Sequence, residues 1–449
     1  MKYIIIGFIT FFLHSNALSQ TYSPLGSGFN FETRTLYYDS TSSTLYAGGG
    51  FWQTGTGEPM WRISQWNGTN WDSIGHGLDG LVLSITKYKG EIYAGGWFVS
   101  SFDSVGTKFP GLAKWNGTNW VKIENDTTPQ CCVLELYTYD NDLYVGGTFD
   151  SINGQLATGI ARYDGTNWYY YPPIPNVSSY LYVSAIVIFN SELCVAGNFN
   201  GGPGLCDIVK FDGFNWVSVG GGLSGSMSDV ADMKIYQNKL YIVGNLSAAA
   251  GDHGNGIAIW DGTTWSQAGS GLLPSTVKTL EEFQGNLYVG GQIQSAGGIP
   301  VNNIAKWDGN AWHNIGVGFD NGVTCLESKD SNNLYIGGAF ITANGDTVNR
   351  ICEYNLLTGI GEISNSPEFQ ISPNPAAEKI TLTCIIPSHL TEVKLLITDL
   401  TGIVISSNQI QGNPRELEVD ISYLNNGSYM VNLEHNGNIL ASRKLMVVK

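Results

Sequence analysis

Charged residues are scarce in this sequence, and most of those present are acidic. Asp, Glu, Lys and Arg make up 13% of the 449 residues, with 38 acidic against 22 basic side chains and a net charge of −16. Nucleic acids and anionic lipid surfaces attract proteins of the opposite sign. The composition therefore argues against nucleic acid and against an anionic membrane surface as partners.

Histidine and the common catalytic motifs are also lacking. The chain has 6 histidines, and none forms a pair with metal-ligand spacing. It has no G-x-S-x-G nucleophile motif and no D-x-D-x-D-G calcium loop. Acidic loop residues such as Asp150, Asp252 and Asp346 are better explained as solvated carboxylates than as calcium ligands. We expect no catalytic residue, no metal and no cofactor.

Long hydrophobic runs are absent beyond the N-terminus. The run Tyr3–Leu13 covers 11 residues, follows a lysine and precedes the small residues Ala17 and Ser19. A membrane-spanning helix needs about 20 apolar residues, so this pattern indicates a secretory signal peptide over residues 1–19. We therefore expect export, with no transmembrane span.

Cysteines are few: 7 in the chain. Export permits disulfides, and Cys194 and Cys206 are candidates because they fall on neighbouring predicted strands. Cys325 and Cys352 are separated by two strand spacings, roughly 9–10 Å, which exceeds the reach of a disulfide. The alternative for most cysteines is a small buried hydrophobic side chain.

Glycine and tryptophan, by contrast, are abundant and recur in a repeat. The first anchor, LYxGG, occurs seven times at spacings of 47 to 51 residues. The second anchor is an aromatic residue, then Asp/Asn-Gly, then Trp, as in WDGTTW. Such a period with four short strand signals per unit is typical of a propeller or a solenoid. The second anchor begins at Trp66, Trp115, Tyr163, Phe211, Trp260 and Trp307.

Each repeat predicts four strands, a to d, and an all-β fold. Strand b is LYxGG, strand c ends at the aromatic residue, and strand d begins at the Trp. Asp/Asn-Gly between c and d favours a tight hairpin. The seventh repeat ends after strand c, near Tyr354, whereas Tyr22–Asn30 resembles a strand d. We therefore predict that the N-terminal strand completes the seventh unit, the alternative being six blades with a tail.

The paired glycines, the aromatic-Asp-Gly and the following Trp resemble the kelch-type β-propeller. The resemblance covers residues 20–358 and implies a seven-bladed propeller. The two aromatics are only five residues apart, and a G-x-G follows the Trp, which departs from the family pattern. Propellers have many unrelated activities, so the resemblance implies a fold and no particular chemistry.

After a predicted linker, residues 359–370, the sequence changes character. Residues 371–449 lose the repeat and predict a small immunoglobulin-like β-sandwich. Four motifs stand out in this region, represented by Pro373, Asn374, Pro375, Asp399, Gly402, Gly427, Tyr429, Lys444 and Lys449. Together they resemble the C-terminal sorting domain of type IX secretion substrates. The resemblance implies recognition by the secretion machinery and export to the cell surface or medium.

The candidate ligand site lies on the face with long loops. Strand direction alternates, so the b–c and d–a loops share one face, and function is often held on loops of a rigid scaffold. Three tryptophans lie outside the repeat positions and on this face, and aromatic neighbours accompany them. Such residues suit stacking on sugars or anchoring a protein; packing between loops is the alternative. The candidates are Trp52, Trp61, Trp97, Phe109, Tyr169 and Tyr170.

The sequence therefore predicts a secreted or cell-surface binding or adhesion protein with a glycan or protein ligand. One alternative is a carbohydrate-active enzyme that uses loop carboxylates. Another is a purely structural surface protein.

Overall fold

The computed structural model divides the chain into two units, Met1–Leu357 and Thr358–Lys449. It describes residues 20–102, 108–123, 132–175, 181–200, 206–223, 229–246, 255–274, 276–356, 369–384, 393–399, 403–410, 416–435 and 438–449. The predicted signal peptide, Asp252, Gly402 and residues 359–368 of the predicted linker lie outside these ranges. The described residues contain strands and no helix, so none of them forms a helix able to cross a membrane.

The first half of the N-terminal unit forms three antiparallel sheets, each with four strands. Sheet 1 is β2-β3-β4-β5, sheet 2 is β6-β7-β8-β9 and sheet 3 is β10-β11-β14-β15. The strands are β1 (Gln20–Pro24), β2 (Thr33–Asp39), β3 (Thr44–Gly49), β4 (Ile63–Trp66), β5 (Trp71–Ser73), β6 (Leu81–Tyr88), β7 (Glu91–Trp97), β8 (Leu112–Trp115), β9 (Trp120–Val121), β10 (Val133–Tyr139), β11 (Asp142–Gly147), β12 (Ser151–Ile152), β13 (Gln155–Leu156), β14 (Ile160–Tyr163) and β15 (Trp168–Tyr170).

Four further sheets follow the same order. Sheet 4 is β16-β17-β18-β19, sheet 5 is β20-β21-β22-β23, sheet 6 is β25-β26-β29-β30 and sheet 7 is β31-β32-β35-β1. The strands are β16 (Tyr182–Phe189), β17 (Glu192–Asn200), β18 (Cys206–Phe211), β19 (Trp216–Ser218), β20 (Val230–Tyr236), β21 (Lys239–Gly244), β22 (Ile257–Trp260), β23 (Trp265–Ser266), β24 (Leu272–Leu273), β25 (Thr276–Phe283), β26 (Asn286–Gln292), β27 (Ser295–Ala296), β28 (Ile299–Pro300), β29 (Ile304–Trp307), β30 (Trp312–His313), β31 (Val323–Ser328), β32 (Asn333–Gly338), β33 (Thr342–Ala343), β34 (Asp346–Thr347) and β35 (Ile351–Leu356).

The c–d hairpins explain the Asp/Asn-Gly of the repeat. In sheet 5 the carboxylate of Asp261 accepts the backbone N–H groups of Thr263 and Thr264 at 2.8 and 2.7 Å. Gly262 between them has a φ of +101°, a conformation that side chains disfavour. The Asp therefore replaces part of the backbone hydrogen bonding of the turn, and the glycine supplies its geometry.

The glycine pair of strand b lets neighbouring sheets approach. A Cβ atom on Gly48 would lie 2.6 Å from a methyl group of Val82 in sheet 2. Gly95 has the same relation to Val133, and Gly290 to Val323. In these sheets the missing side chain is the space that the next sheet fills, which favours glycine, whereas sheets 4 and 5 have Ala196 and Val243 at this position.

The Trp of strand d joins five of the sheets to the sheet before it, whereas the buried indole N–H of Trp168 in sheet 3 has no hydrogen-bond partner among the described residues. The indole N–H of Trp71 donates to the carbonyl of Leu25 at 2.9 Å, and that of Trp120 donates to Ile74 at 3.0 Å. Trp216, Trp265 and Trp312 make the same bond to Pro172, Val219 and Ala268. These bonds cross between sheets, so the repeat encodes the contact between units as well as the units.

The N-terminal strand completes sheet 7, as predicted. Strand β1 pairs antiparallel with β35, and Tyr22 lies opposite Tyr354. The Tyr22 hydroxyl donates to the carbonyl of Ile315 in sheet 6, which is the bond that Trp makes elsewhere. The first strand of each sheet contacts the first strand of the next, and β31 of sheet 7 contacts β2 of sheet 1. The inner strands, β2, β6, β10, β16, β20, β25 and β31, therefore form a closed cycle of contacts.

The C-terminal unit consists of two antiparallel sheets around one hydrophobic core. The sheets are β36-β37-β40 and β39-β38-β41-β42, and the core contains Leu382, Leu395 and Leu433. An immunoglobulin-like topology for this unit stays a prediction. Its strands are β36 (Phe369–Ser372), β37 (Lys379–Cys384), β38 (Lys394–Thr398), β39 (Val404–Gln409), β40 (Glu416–Asp420), β41 (Gly427–His435) and β42 (Asn438–Val447).

Candidate functional site

The b–c and d–a loops of sheets 1 and 2 are held together by side-chain caps. Asn30 accepts the backbone N–H groups of Trp52 and Gln53 at 3.1 and 3.3 Å. Asp79 accepts the N–H of Val99 at 2.7 Å in the equivalent place. Each cap follows a G-x-G, so the motif G-x-G-x-N/D positions the loop that carries the candidate residues.

These loops display five aromatic side chains, which we call the aromatic surface: Phe31, Trp52, Trp61, Trp97 and Phe102. Trp52 is 39% exposed, and its ring centroid lies 6.0 Å from that of Phe31. Trp61 is half-buried and stacks on exposed Phe102 at 3.5 Å with an interplanar angle of 11°. The three predicted tryptophans therefore lie on one face, and two phenylalanines that we had not predicted join them.

Trp97 is the most exposed of the five, with 58% of its surface accessible. It ends β7 opposite Leu81 and lines a cavity of about 770 Å³ enclosed by the inner strands. Arg34, Thr148 and Tyr182 line the same cavity, and the Tyr182 hydroxyl donates to Asp229 at 2.7 Å. Trp97 thus connects the aromatic surface with the central cavity.

Three predicted ligand residues are elsewhere. Phe109 is 1% exposed and packs on Phe98 in the core, because its loop turns inward where its N–H bonds the Val99 carbonyl. Tyr169 lies on strand d of sheet 3, where its hydroxyl donates to Asp164 and Arg162 covers its ring at 4.2 Å. Tyr170 is half-buried against the core of that sheet. Including Phe109 in an exposed site was wrong, and Tyr169 and Tyr170 belong to a hairpin.

The predicted disulfide between Cys194 and Cys206 is also wrong. Cys194 pairs with Lys210, whereas Cys206 pairs with Asn200 across a bulge, so the two cysteines are several register positions apart. Cys194 is a buried free thiol. The two cysteines lie on neighbouring strands, as the sequence predicted. The register of these strands, however, places them too far apart for a disulfide.

The inner strands also carry charged residues that the sequence analysis missed. Glu135, Asp232, Glu281 and Glu327, with Lys234, line the central cavity; we call them the inner acidic cluster. Lys234 bonds Glu281 at 2.5 Å. Burial raises the pKa of Asp232 to about 6 and that of Glu327 to about 8, and it raises the pKa of Glu135 well above its ordinary value. Among the described residues, no three His, Cys, Asp or Glu side chains are placed to bind a metal.

Part of this cluster has a structural explanation. The inner edge of each sheet leaves backbone N–H groups without a strand partner. Asp232 accepts the N–H of Leu280 in the next sheet at 2.7 Å, and Glu327 accepts that of Tyr38 at 2.8 Å. Ser84 accepts the N–H of Leu136 at 3.0 Å in the same way. These side chains bridge neighbouring inner strands, and Glu327 bridges sheets 7 and 1.

Glu327 should make stability depend on pH. Its pKa is about 8, raised by burial and then by Glu281, while the Tyr38 N–H and Lys234 oppose the rise. The ordinary value is 4.5, so folding binds a proton between these values, and Glu327's contribution falls as pH rises from about 4.5 through about 8. We expect Glu327→Gln, which keeps the oxygen facing Tyr38, to reduce the fall in melting temperature between these pH values. Glu282→Gln, an exposed neighbour, is the control; equal pH profiles for wild type and Glu327→Gln would contradict this.

The sorting motifs of the C-terminal unit come together around its last strand. Asn374 donates from its side-chain amide to the Lys444 carbonyl at 2.7 Å and accepts the N–H of Met446 at 2.9 Å. Lys449 bonds Asn426 next to Gly427, where β41 begins. Asp399 accepts the N–H of Ile403 in a separate turn. Neighbouring Pro373 and Pro375 flank Asn374, and the Tyr429 hydroxyl donates to Asn425.

Residues 370–448 match the family model described as "Secretion system C-terminal sorting domain". The C-terminal unit is a type IX secretion sorting domain. Such a domain directs its chain across the outer membrane to the cell surface or the extracellular space and interacts with the secretion machinery. No curated protein matches the chain.

Among solved structures, the chain is similar to PorZ, a surface component of the type IX secretion system of Porphyromonas gingivalis, at 14% identity and a TM-score of 0.48. The alignment covers 94% of this chain and 60% of PorZ. The extracellular domain of BT4673 from B. thetaiotaomicron is similar at 10% identity and a TM-score of 0.48, over 96% of this chain and 59% of that one. This chain therefore spans about three fifths of the length of each.

Proposed function

We propose that this protein is an exported binding protein whose ligand site is the aromatic surface. The observation that carries the proposal is Trp97, which is 58% exposed at the mouth of the central cavity. A group of exposed apolar side chains rimmed by polar residues often marks an interaction site, whereas a single exposed ring needs no explanation. Trp52 and Phe31 on the adjacent loops support the same reading, because several rings can share one ligand.

The scaffold of this site, in our proposal, is a seven-bladed β-propeller of kelch type. Seven four-stranded sheets, the closed cycle of inner strands and Tyr22 in the place of the recurring Trp support it. A closed array leaves no unpaired gap between first and last sheets. It would hold the loops of sheets 1 and 2 rigidly, which reduces the entropy lost on binding.

A glycan-array and cell-surface binding screen tests the proposal. The protein covering residues 20–449 is compared with its Trp52→Ala/Trp61→Ala/Trp97→Ala variant, after circular dichroism has shown that both are folded. We expect a bound ligand whose affinity falls by about tenfold or more in the variant, because each lost ring contact contributes on the order of 1 kcal/mol. A ligand bound equally by both proteins would place the site elsewhere.

A carbohydrate-active enzyme is the second candidate, favoured by the inner acidic cluster in the cavity next to Trp97. Glu327, with a pKa of about 8, would hold a proton at neutral pH, as a general acid must. Against this, Asp232 and Glu327 already accept backbone N–H groups. Release of reducing sugar from a bound glycan, abolished in Glu327→Gln, would favour the enzyme over the binding protein.

A further inference from the structure

The charged groups around the aromatic surface constrain the ligand. Among the described residues, the surrounding loops, with the adjoining residue Arg34, carry balanced charge: three basic and three acidic side chains in a chain with a net charge of −16. A local sum near zero gives little attraction for a ligand of either sign. The residues are Glu32, Arg34, Glu58, Arg62, Asp79 and Lys108.

The two arginines next to the rings are already engaged. Arg34 forms an ion pair with Glu32 at 2.6 Å. The Arg62 guanidinium donates to the carbonyl of Gly50 and lies 5.8 Å from the centre of the Trp52 ring. Acidic sugars and phosphates are usually bound by arginine through two parallel hydrogen bonds. Arg34 is thus neutralised by Glu32, and part of the Arg62 guanidinium is committed to Gly50, which lowers the attraction of either side chain for an anion.

The nearby acid is engaged in the same way. One carboxylate oxygen of Asp79 accepts the Val99 N–H at 2.7 Å, and the other accepts the Ser100 hydroxyl at 2.9 Å. These two bonds stabilise part of the Asp79 charge and lower its attraction for a cationic ligand. The aromatic surface therefore combines flat rings with a local charge near zero, an ion-paired Arg34 and hydrogen-bonded Arg62 and Asp79, which suits an uncharged ligand.

The rings follow a line from sheet 1 to sheet 2. The Phe31 ring lies 6.0 Å from that of Trp52. A Cβ placed on Gly50 would be 2.6 Å from Phe31 and 3.6 Å from Leu81, so these two side chains are neighbours. Leu81 in turn pairs with Trp97. The row Trp52–Phe31–Leu81–Trp97 therefore contains three rings, with one aliphatic side chain between Phe31 and Trp97, and it offers more than one ring to an extended ligand.

The cavity that Trp97 lines has polar as well as apolar walls, unlike the dry centre of a protein–protein hot spot. Thr148 and the Tyr182–Asp229 pair line the cavity that Trp97 also lines. An exposed aromatic face beside hydroxyl groups matches a sugar, which presents C–H groups on its ring face and hydroxyls at its edge. A sugar can use both features at once.

We infer that the aromatic surface binds an uncharged glycan, which lies along Trp52, Phe31 and Trp97 with one end at the mouth of the central cavity. This inference rests on the proposed function and adds the ligand class and its path. It predicts binding that uses ring stacking and hydrogen bonds, and that added salt leaves nearly unchanged because no ion pair forms.

Affinity electrophoresis and calorimetry of the protein covering residues 20–449 test it. The neutral probes are mixed-linkage β-glucan, xyloglucan and starch; the acidic probes are alginate and heparin. We expect at least one neutral glycan to bind with a dissociation constant that changes less than about twofold between about 50 and about 500 mM NaCl. Trp97→Ala should weaken this binding at least about tenfold.

Phe214→Ala is the matched control, because Phe214 is an exposed aromatic in the c–d turn of sheet 4, on the opposite face. It should bind like the wild type. Binding only to acidic probes, or to no glycan, would overturn the inference; loss of a protein or acidic ligand in Trp97→Ala would still support the proposed function. Glycan binding that Trp97→Ala leaves intact would overturn both.

Discussion

Removing residues 20–30 should destabilise the N-terminal unit more than any point change considered above. The deletion takes β1 from sheet 7 and removes three buried side chains, those of Tyr22, Leu25 and Phe29. Burying each large apolar side chain contributes about 1.5–3 kcal/mol, so the loss is comparable to the whole stability of a typical domain, about 5–15 kcal/mol. We expect a protein that fails to fold or melts far below the protein that begins at residue 20.

The destabilisation caused by the deletion should be greatest in sheets 7 and 1. Phe29 stacks on Phe51 in sheet 1 at 3.9 Å, and Trp71 of sheet 1 would lose its acceptor, the Leu25 carbonyl. Hydrogen exchange should therefore increase first in sheets 7 and 1. Tyr22→Phe, which removes only the bond to Ile315, is the graded control and should cost about 1 kcal/mol. Unchanged melting after the deletion would favour six blades with a tail.

The repeat could be read from the sequence because each anchor has one physical reason. Asp261 and Gly262 make a turn, Gly48 makes room for Val82, and Trp265 donates to the preceding sheet. These reasons recur in most units, so spacing revealed them, although Ala196 and Val243 replace that glycine in sheets 4 and 5 and Trp168 lacks the indole bond. The N-terminal strand was predictable for the same reason, since one strand d was missing from the count and one was left over at Tyr22–Asn30.

The candidate site was predictable only in part. Loop residues follow no period, so the sequence indicated that Trp52 and Trp97 lie on one face but not which neighbours turn inward. Phe109 turns into the core, whereas Phe102 of the same loop is exposed. Phe31 could have been found, because it directly follows the capping residue Asn30.

The inner acidic cluster could have been predicted by aligning the first strand of each sheet. Register places Glu135 and Asp232 where sheet 2 has Ser84, each opposite the first residue of a strand b glycine pair or its equivalent. Polar residues at one position of an otherwise apolar strand indicate a free strand edge that needs acceptors. The need for these acceptors arises only when the inner strands of neighbouring sheets contact each other, so a single repeat does not reveal it.

Deleting residues 369–449 should abolish export across the outer membrane while leaving the N-terminal unit folded. The C-terminal unit has its own core, and sheet 7 is completed by β1 from within the N-terminal unit. The truncated protein therefore loses the sorting domain and no strand of the seven sheets. In a host with a type IX system, we expect the truncated protein in the periplasm and the full-length protein at the surface or in the medium.

The control separates loss of sorting from loss of folding. Protease resistance and the melting temperature of the purified truncated protein should match those of the N-terminal unit in the full chain. Asn374→Ala, which removes the bonds to Lys444 and Met446, should reduce export by a smaller factor. Those bonds join the Pro-Asn-Pro segment to β42. Reduced export of the Asn374→Ala variant would therefore show that export depends on the contact between this segment and β42. Secretion of the folded truncated protein into the medium would contradict a sorting role for residues 369–449.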